Sequence, residues 1–340
     1  MTEELMPMVV MKQMLYGGIV AKSIQAVAEL GIADLVAQQP KHVQELAEAT
    51  GTDVSSLYRL LRGLAMLGVF REIVTGEFTN TPLSDCLRCD IPGSLHDLAL
   101  YVPHDGNWRA WMHLMDVLKT GKASFKQANG LELFEYLNTH PKTAEHFNHS
   151  MTSWSVSVAA EFPQVYNFKD VGSVVDVGGG HGLLLASILQ ANPNLRGVLF
   201  DLPSVIEGAL PFLAEKGVTK RCDLVAGSFF ESIPAGHDIY LMKHILHSWS
   251  DEQATELLSC CRKAIPPHGK LLILEMLIPG GNDFHPAKWF DISMMVSLGG
   301  KERTEREFRR LLAQSDFKLQ RILPMESPVV ILEANPGIAF

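Results

Sequence analysis

The sequence predicts a doubly wound α/β sheet closed by an antiparallel C-terminal hairpin, preceded by a mostly helical module of winged-helix pattern. Three observations predict it. Strands alternate with helices after residue 170, a glycine loop follows the first of those strands, and the first hundred residues combine helical leucine spacing with a short hairpin. At 340 residues, 47 % of them hydrophobic, the chain is long enough for two domains, placed at 1–100 and 101–340.

The N-terminal module reads in order as the helix "VQELAEAT", a turn at Gly51, the helix "SSLYRLLRGLAMLG" and the hairpin "VFREIVTGEFTNT". In the second helix Leu57, Leu60, Leu61, Leu64 and Leu67 recur at helical spacing. Winged helices often bind DNA, yet residues 41–71 carry four Lys or Arg against three Asp or Glu, and the candidate recognition helix offers only Arg59 and Arg62. Packing or dimerisation is the expected role. The apolar stretch "SIQAVAELGIADLV" and the Met-rich start ask for burial against another chain, so a homodimer is expected.

Residues 101–165 read as helical. Trp108, Trp111, Met112 and Met115 form one stripe, and Phe147, Met151 and Trp154 another. Core packing is the default explanation, although a pocket for a flat apolar ligand uses the same residue types. Residues 166–340 then supply the α/β core: "SVVDVGG", "RGVLFDLP", "DLVAGSFF", "DIYLMKH" and "KLLILEMLIP" as strands, most of them separated by helices. "KLQRILP" and "PVVILEA" are separated only by "MES", too short for a crossover, so they should pair antiparallel.

A formal net charge of −9 and a pI near 5.8 exclude a sequence-independent grip on nucleic acid. Five cysteines, an odd count, argue against a disulfide framework and for the cytoplasm, and the lone CxxC at Cys86 and Cys89 lacks the second pair that a structural zinc needs. Glu3, Glu4 and Lys12 break any signal peptide, and no membrane span is expected.

Chemistry begins at "VVDVGGGHGLLLASIL", a strand, glycine loop and helix in sequence. Asp176, Gly178, Gly180 and Gly182 fit D-x-G-x-G-x-G, whereas the dinucleotide pattern fails because its last glycine would fall on Leu183. Glycines let a ligand lie against backbone, and Asp201, ending the next strand, suits two ribose hydroxyls. With no P-loop lysine the ligand needs no pyrophosphate, which favours S-adenosylmethionine over NAD. Further on, "MKHILHSWSDE" leaves two readings open. Lys243 and His247 share a face if the segment is helical, while His244 and His247, three apart, could share a metal.

The chain resembles the small-molecule O-methyltransferases typified by caffeic acid and hydroxyindole O-methyltransferases, through "DVGGGHG", "FDLP", "GSFF", "MKHILHSWSDE", "LEMLIP" and "GGKERTE" in that order. The resemblance implies a Rossmann-like methyltransferase sheet and an N-terminal dimerisation domain. It implies a cofactor site from Asp176, Gly178, Gly180, Asp201, Leu202, Ser228, Phe229 and Lys243, and release of S-adenosylhomocysteine after methyl transfer to a hydroxyl, phenolic in type, of a small aromatic or polyketide-like metabolite. His247 would be the general base, flanked by Glu275 and Glu302. A carboxylate on the far ring nitrogen would fix the tautomer of such a base. The acceptor would meet Trp108, Met151, Trp154, Asp291, Met294 and Met295, with Trp289 in the same pocket wall. No metal is implied, and His244, with no carboxylate or Cys to complete a metal set, is expected to be structural. Ser228 and Ser248 stand where the family usually has Asp. The other reading on the same scaffold is N-methylation or a cofactor-bound protein without transfer; a ligand-sensing regulator is a third. Ser250 to Gln253 and Thr304 to Glu307 read as capping boxes.

Overall fold

The computed structural model describes residues 5–337; Glu3 and Glu4 lie outside them. The chain divides into two compact units, Met1–Asp105 with Lys142–Ser153, and Gly106–Pro141 with Trp154–Phe340. The helix Pro141–Val165 contributes residues to both.

In the first unit, helix Val43–Thr50 opens with a capping box, the His42 ring accepting from Gln44 N–H and the Glu45 carboxylate from His42 N–H. It ends at Gly51 in the left-handed region. Helix Val54–Met66 is capped by Asp53 and buries Leu57, Leu61 and Leu64; Leu67 falls past its end and is exposed. Strands β1 (Lys41–His42), β2 (Phe70–Val74) and β3 (Glu77–Asn80) form an antiparallel sheet in the order β1-β3-β2, which adds one short strand to the expected hairpin.

The second unit holds β4 (Ser173–Val177), β5 (Arg196–Asp201), β6 (Cys222–Ala226), β7 (Ile239–Lys243), β8 (Lys270–Met276), β9 (Phe317–Pro324) and β10 (Val329–Pro336). Their order is β6-β5-β4-β7-β8-β10-β9. β4 to β8 run parallel, and β10 lies antiparallel between β8 and β9, as the short "MES" link requires. The pleat sends alternate residues to opposite faces: Val174 joins a core with Leu184, Leu185 and Leu189, while Val175 and Val177 join another with Leu257, Leu258 and Leu312. β4 pairs with β5 on one side and β7 on the other, so the strand order reverses at β4 and opens a crevice at its carboxyl end. Among the described residues, no helix is long and apolar enough to cross a membrane.

The stripe at residues 108–115 does not fold as expected. Helices Asp105–Trp111 and Leu114–Thr120 break between Met112 and His113, so no single face carries all four residues. Met112 and Met115 are 82 % and 62 % exposed rather than core. Met151 and Trp154, on helix Pro141–Val165, are 36 % and 43 % exposed rather than fully in the core.

Candidate active site

The cofactor half of the crevice is built from backbone. Gly178, Gly180 and Gly182 all have positive φ, at 70°, 61° and 82°. At Gly178 a side chain would be strained by the positive φ, and its Cβ would lie 2.5 Å from Ile245 Cδ1, two residues past β7. Asp201 ties the loop to the next strand: its Oδ2 accepts Gly180 N–H at 2.8 Å and its Oδ1 accepts Leu202 N–H at 2.7 Å. Burial raises its proton affinity against these two bonds. Asp176 is buried and its Oδ2 has no hydrogen-bond partner. Burial pushes its pKa up to about 7, with Lys243 pulling it down and Asp201 adding to the rise. Lys243, ending β7, is pushed down to about 8 by burial, against the pull of Glu275 and Asp176. Ser228 Oγ accepts Phe230 N–H at 3.3 Å, and Phe229 packs edge-on to Phe230 and Trp249. A glycine cradle, a carboxyl oxygen left unpaired and an acid at the end of β5 together fit the amino acid and ribose ends of S-adenosylmethionine.

The second half is built from buried charge. β7 ends at Lys243 and the chain does not continue as a helix. His244 adopts a left-handed φ of 53°, and Leu246–Ser248 forms a single 3-10 turn. The helical condition under which Lys243 and His247 would share a face is therefore not met, and the His244 and His247 rings stack with centroids 5.2 Å apart. Glu275, fully buried on β8, faces both. Its Oε1 accepts the N–H groups of Leu246 (3.0 Å) and His247 (3.3 Å), and its Oε2 lies 3.2 Å from His244 Nδ1 and 3.5 Å from His247 Nδ1. A carboxylate therefore does complete a set with His244. These three side chains could hold a divalent ion, while the bonds among them account for their placement without one.

Glu302 Oε1 lies 2.7 Å from His247 Nδ1. Two lone pairs cannot face each other at that distance, so one proton lies between them. Burial pushes Glu302 up to about 9, helped by Glu275 and Asp291 and opposed by Arg303. Burial lowers His247 despite Glu275, and lowers His244 further. Asp291 Oδ1 accepts Glu302 N–H at 3.0 Å, so this side chain supports the acid. Trp154 meets Phe290 edge-on at 5.2 Å; Met294 and Met295 are half-buried on helix Pro286–Ser297, whereas Trp289 is exposed rather than part of a wall. Trp108 belongs to the same unit, and Met151 to the N-terminal one.

Family models match residues 111–318 as an O-methyltransferase domain and 12–89 as an O-methyltransferase dimerisation domain. The chain belongs to the S-adenosylmethionine-dependent O-methyltransferases. It is 41 % identical to the phenazine O-methyltransferase PhzM of Lysobacter antibioticus, over 96 % of each chain. Among solved structures, the mitomycin 7-O-methyltransferase MmcR superposes with a TM-score of 0.93 at 36 % identity, covering 98 % of this chain and 99 % of that one. An O-methyltransferase from neocarzinostatin biosynthesis, solved with S-adenosylmethionine and 2-hydroxy-5-methyl naphthoic acid, superposes at 0.80 with 29 % identity over 93 % and 96 %.

Two contributors to this O-methyltransferase site escaped the sequence reading. Arg303 is fully buried directly after Glu302, and a Cβ on Gly300 would collide with the carbonyl oxygen of His247. The only signal for either was its place inside "GGKERTE".

Proposed function

We propose that this methyltransferase acts on a hydroxyl, phenolic in type, of a small flat aromatic metabolite, with His247 as the general base. The observation that carries the reading is the 2.7 Å contact between His247 Nδ1 and the buried Glu302. With the shared proton on Nδ1, Nε2 is a free lone pair able to take a phenolic proton, and Glu275 and Glu302 stabilise the imidazolium that forms. When bound, S-adenosylmethionine supplies an electrophilic methyl on a sulfonium. Asp176, Gly178, Gly180, Asp201, Leu202, Ser228, Phe229 and Lys243 would hold it. Trp108, Trp154, Met294 and Met295 would orient the acceptor, while Asp291 acts through Glu302.

A flat fused-ring acceptor is supported by the relatives: phenazine and naphthoic acid are the scaffolds in their names. Residues 1–100 would serve as the dimerisation module and 101–340 as the catalytic one. The exposed apolar face of Met6, Met8, Met11, Met14, Leu15 and Ile19 is the surface a second copy would cover. Light scattering on purified protein should return twice the chain mass.

In His247→Ala, methyl transfer should fall by roughly 10²- to 10⁴-fold with cofactor affinity kept. Wild-type turnover would remove His247 as the base. Labelled S-adenosylmethionine offered with a panel of hydroxylated and amino aromatics would then name the acceptor atom.

A further inference from the structure

The turn carrying His247 is held by its N–H groups on the Glu275 carboxylate and by its carbonyls on one guanidinium. Arg303 Nη1 donates to Leu246 O at 2.7 Å and Nη2 to Trp249 O at 2.9 Å, bracketing His247 in the chain. Nε donates to Asp251 Oδ1 at 3.0 Å, and Nη1 also reaches Lys301 O at 3.3 Å. The Arg303 backbone is pinned as well: its carbonyl accepts Ile278 N–H at 3.1 Å, just past the end of β8. A fully buried cation is costly, and its carboxylate partner, Asp251, is itself partly exposed and shared with Lys301. A lysine could not bond two carbonyls three residues apart while reaching a carboxylate, because it lacks the rigid fork.

We propose that Arg303 is the positioning residue of the base, fixing turn 246–249 so that His247 meets Glu302 with the shared proton on Nδ1. The proposal rests on the reading of His247 as base. The groups facing His247 are Glu275, Glu302, His244, Lys243 and Arg303. Burial, Glu275 and Asp291 favour the acid form of Glu302, and the positive charge of Arg303 is the one group that opposes them, so its removal moves the shared proton toward the carboxyl. Were Glu302 to keep the proton, it would donate to Nδ1, and Nε2 would carry the hydrogen that disables it as a base.

The test uses ¹⁵N-histidine NMR of the full-length, cofactor-free protein at neutral pH, which reads the His247 tautomer, together with turnover of the complete enzyme. Wild type should show Nδ1–H. Arg303→Met should move His247 toward Nε2–H and lower kcat at least 100-fold, with the S-adenosylmethionine dissociation constant within about twofold. Arg303→Lys keeps the charge and loses the fork, so the tautomer should stay and kcat should fall about tenfold. Wild-type Nδ1–H retained in Arg303→Met would reduce Arg303 to a structural residue and overturn the proposal, as would wild-type kcat in Arg303→Lys. Nε2–H in the wild type would instead sink the reading of His247 as base. If neither arginine variant folds, Asp251→Asn decides: a several-fold loss of kcat supports the clamp, and unchanged kcat overturns it.

Discussion

The two halves of the crevice solve the same problem, holding a reactive geometry, by opposite means. The half around the glycine loop is shaped first by contiguous main chain, three glycines in the left-handed region, with Asp176, Asp201 and Lys243 set beside it from the strand ends. The base half is discontinuous and made of buried ionisable side chains, with His247 meeting Glu275 and Glu302 from segments 28 and 55 residues away. Main chain tolerates close ligand approach without titrating. Buried charge carries reactivity and depends on every neighbour to hold its proton in place.

The two halves should therefore fail differently. The largest effect is expected in Glu302→Gln, where the amide can donate to Nδ1 and lock the wrong tautomer. We expect kcat to drop roughly 10³-fold while calorimetry finds cofactor affinity within about twofold. Gly178→Ala should invert that pattern. Strain of about 1–3 kcal/mol at φ 70° and the clash with Ile245 should weaken S-adenosylmethionine binding roughly 10- to 100-fold, with kcat at saturation within a few-fold. Equal losses of affinity in both variants would erase the division. Glu275→Gln should cost about 1–3 kcal/mol in urea unfolding, because the amide cannot accept at both of its ends.

The remaining effect concerns pH and reads stability rather than turnover. Asp176 has its folded pKa raised from 3.8 to about 7, so the native state binds its proton more tightly than the unfolded chain does. Its contribution is full below about pH 4 and is lost as pH rises toward 7, with a slope of at most about 1.4 kcal/mol per unit for one proton. Asp176→Asn should flatten that part of the stability curve of the cofactor-free protein; an unchanged slope would show that Asp176 does not titrate there.

The same contrast explains what the sequence made legible. The glycine loop, the alternation of strands and helices around it and the closing hairpin have local signatures, in spacing and in the three-residue link, and the structure has them. His247, Glu275 and Glu302 could be brought together on paper only by resemblance, because a contact across 55 residues leaves no periodic trace. The turn at His244 leaves no mark in the sequence: a left-handed φ on a residue other than glycine is imposed by packing, here by the His244 N–H bond to Leu274 O and by Glu275. Met112 and Met115 were misread because spacing assumes one unbroken helix, and the break at His113 has no proline or glycine to announce it.

One consequence lies at Gly300. Its hydrogen occupies space that any Cβ would take from the carbonyl of His247. On the proposed reading the acceptor side can be reworked through the half-buried Met294 and Met295. At position 300 every single substitution pushes on the base. A lineage exploring new acceptors on this scaffold would therefore be expected to vary helix Pro286–Ser297 at Met294 and Met295, while keeping Asp291 and passing through a bottleneck three residues beyond the helix end.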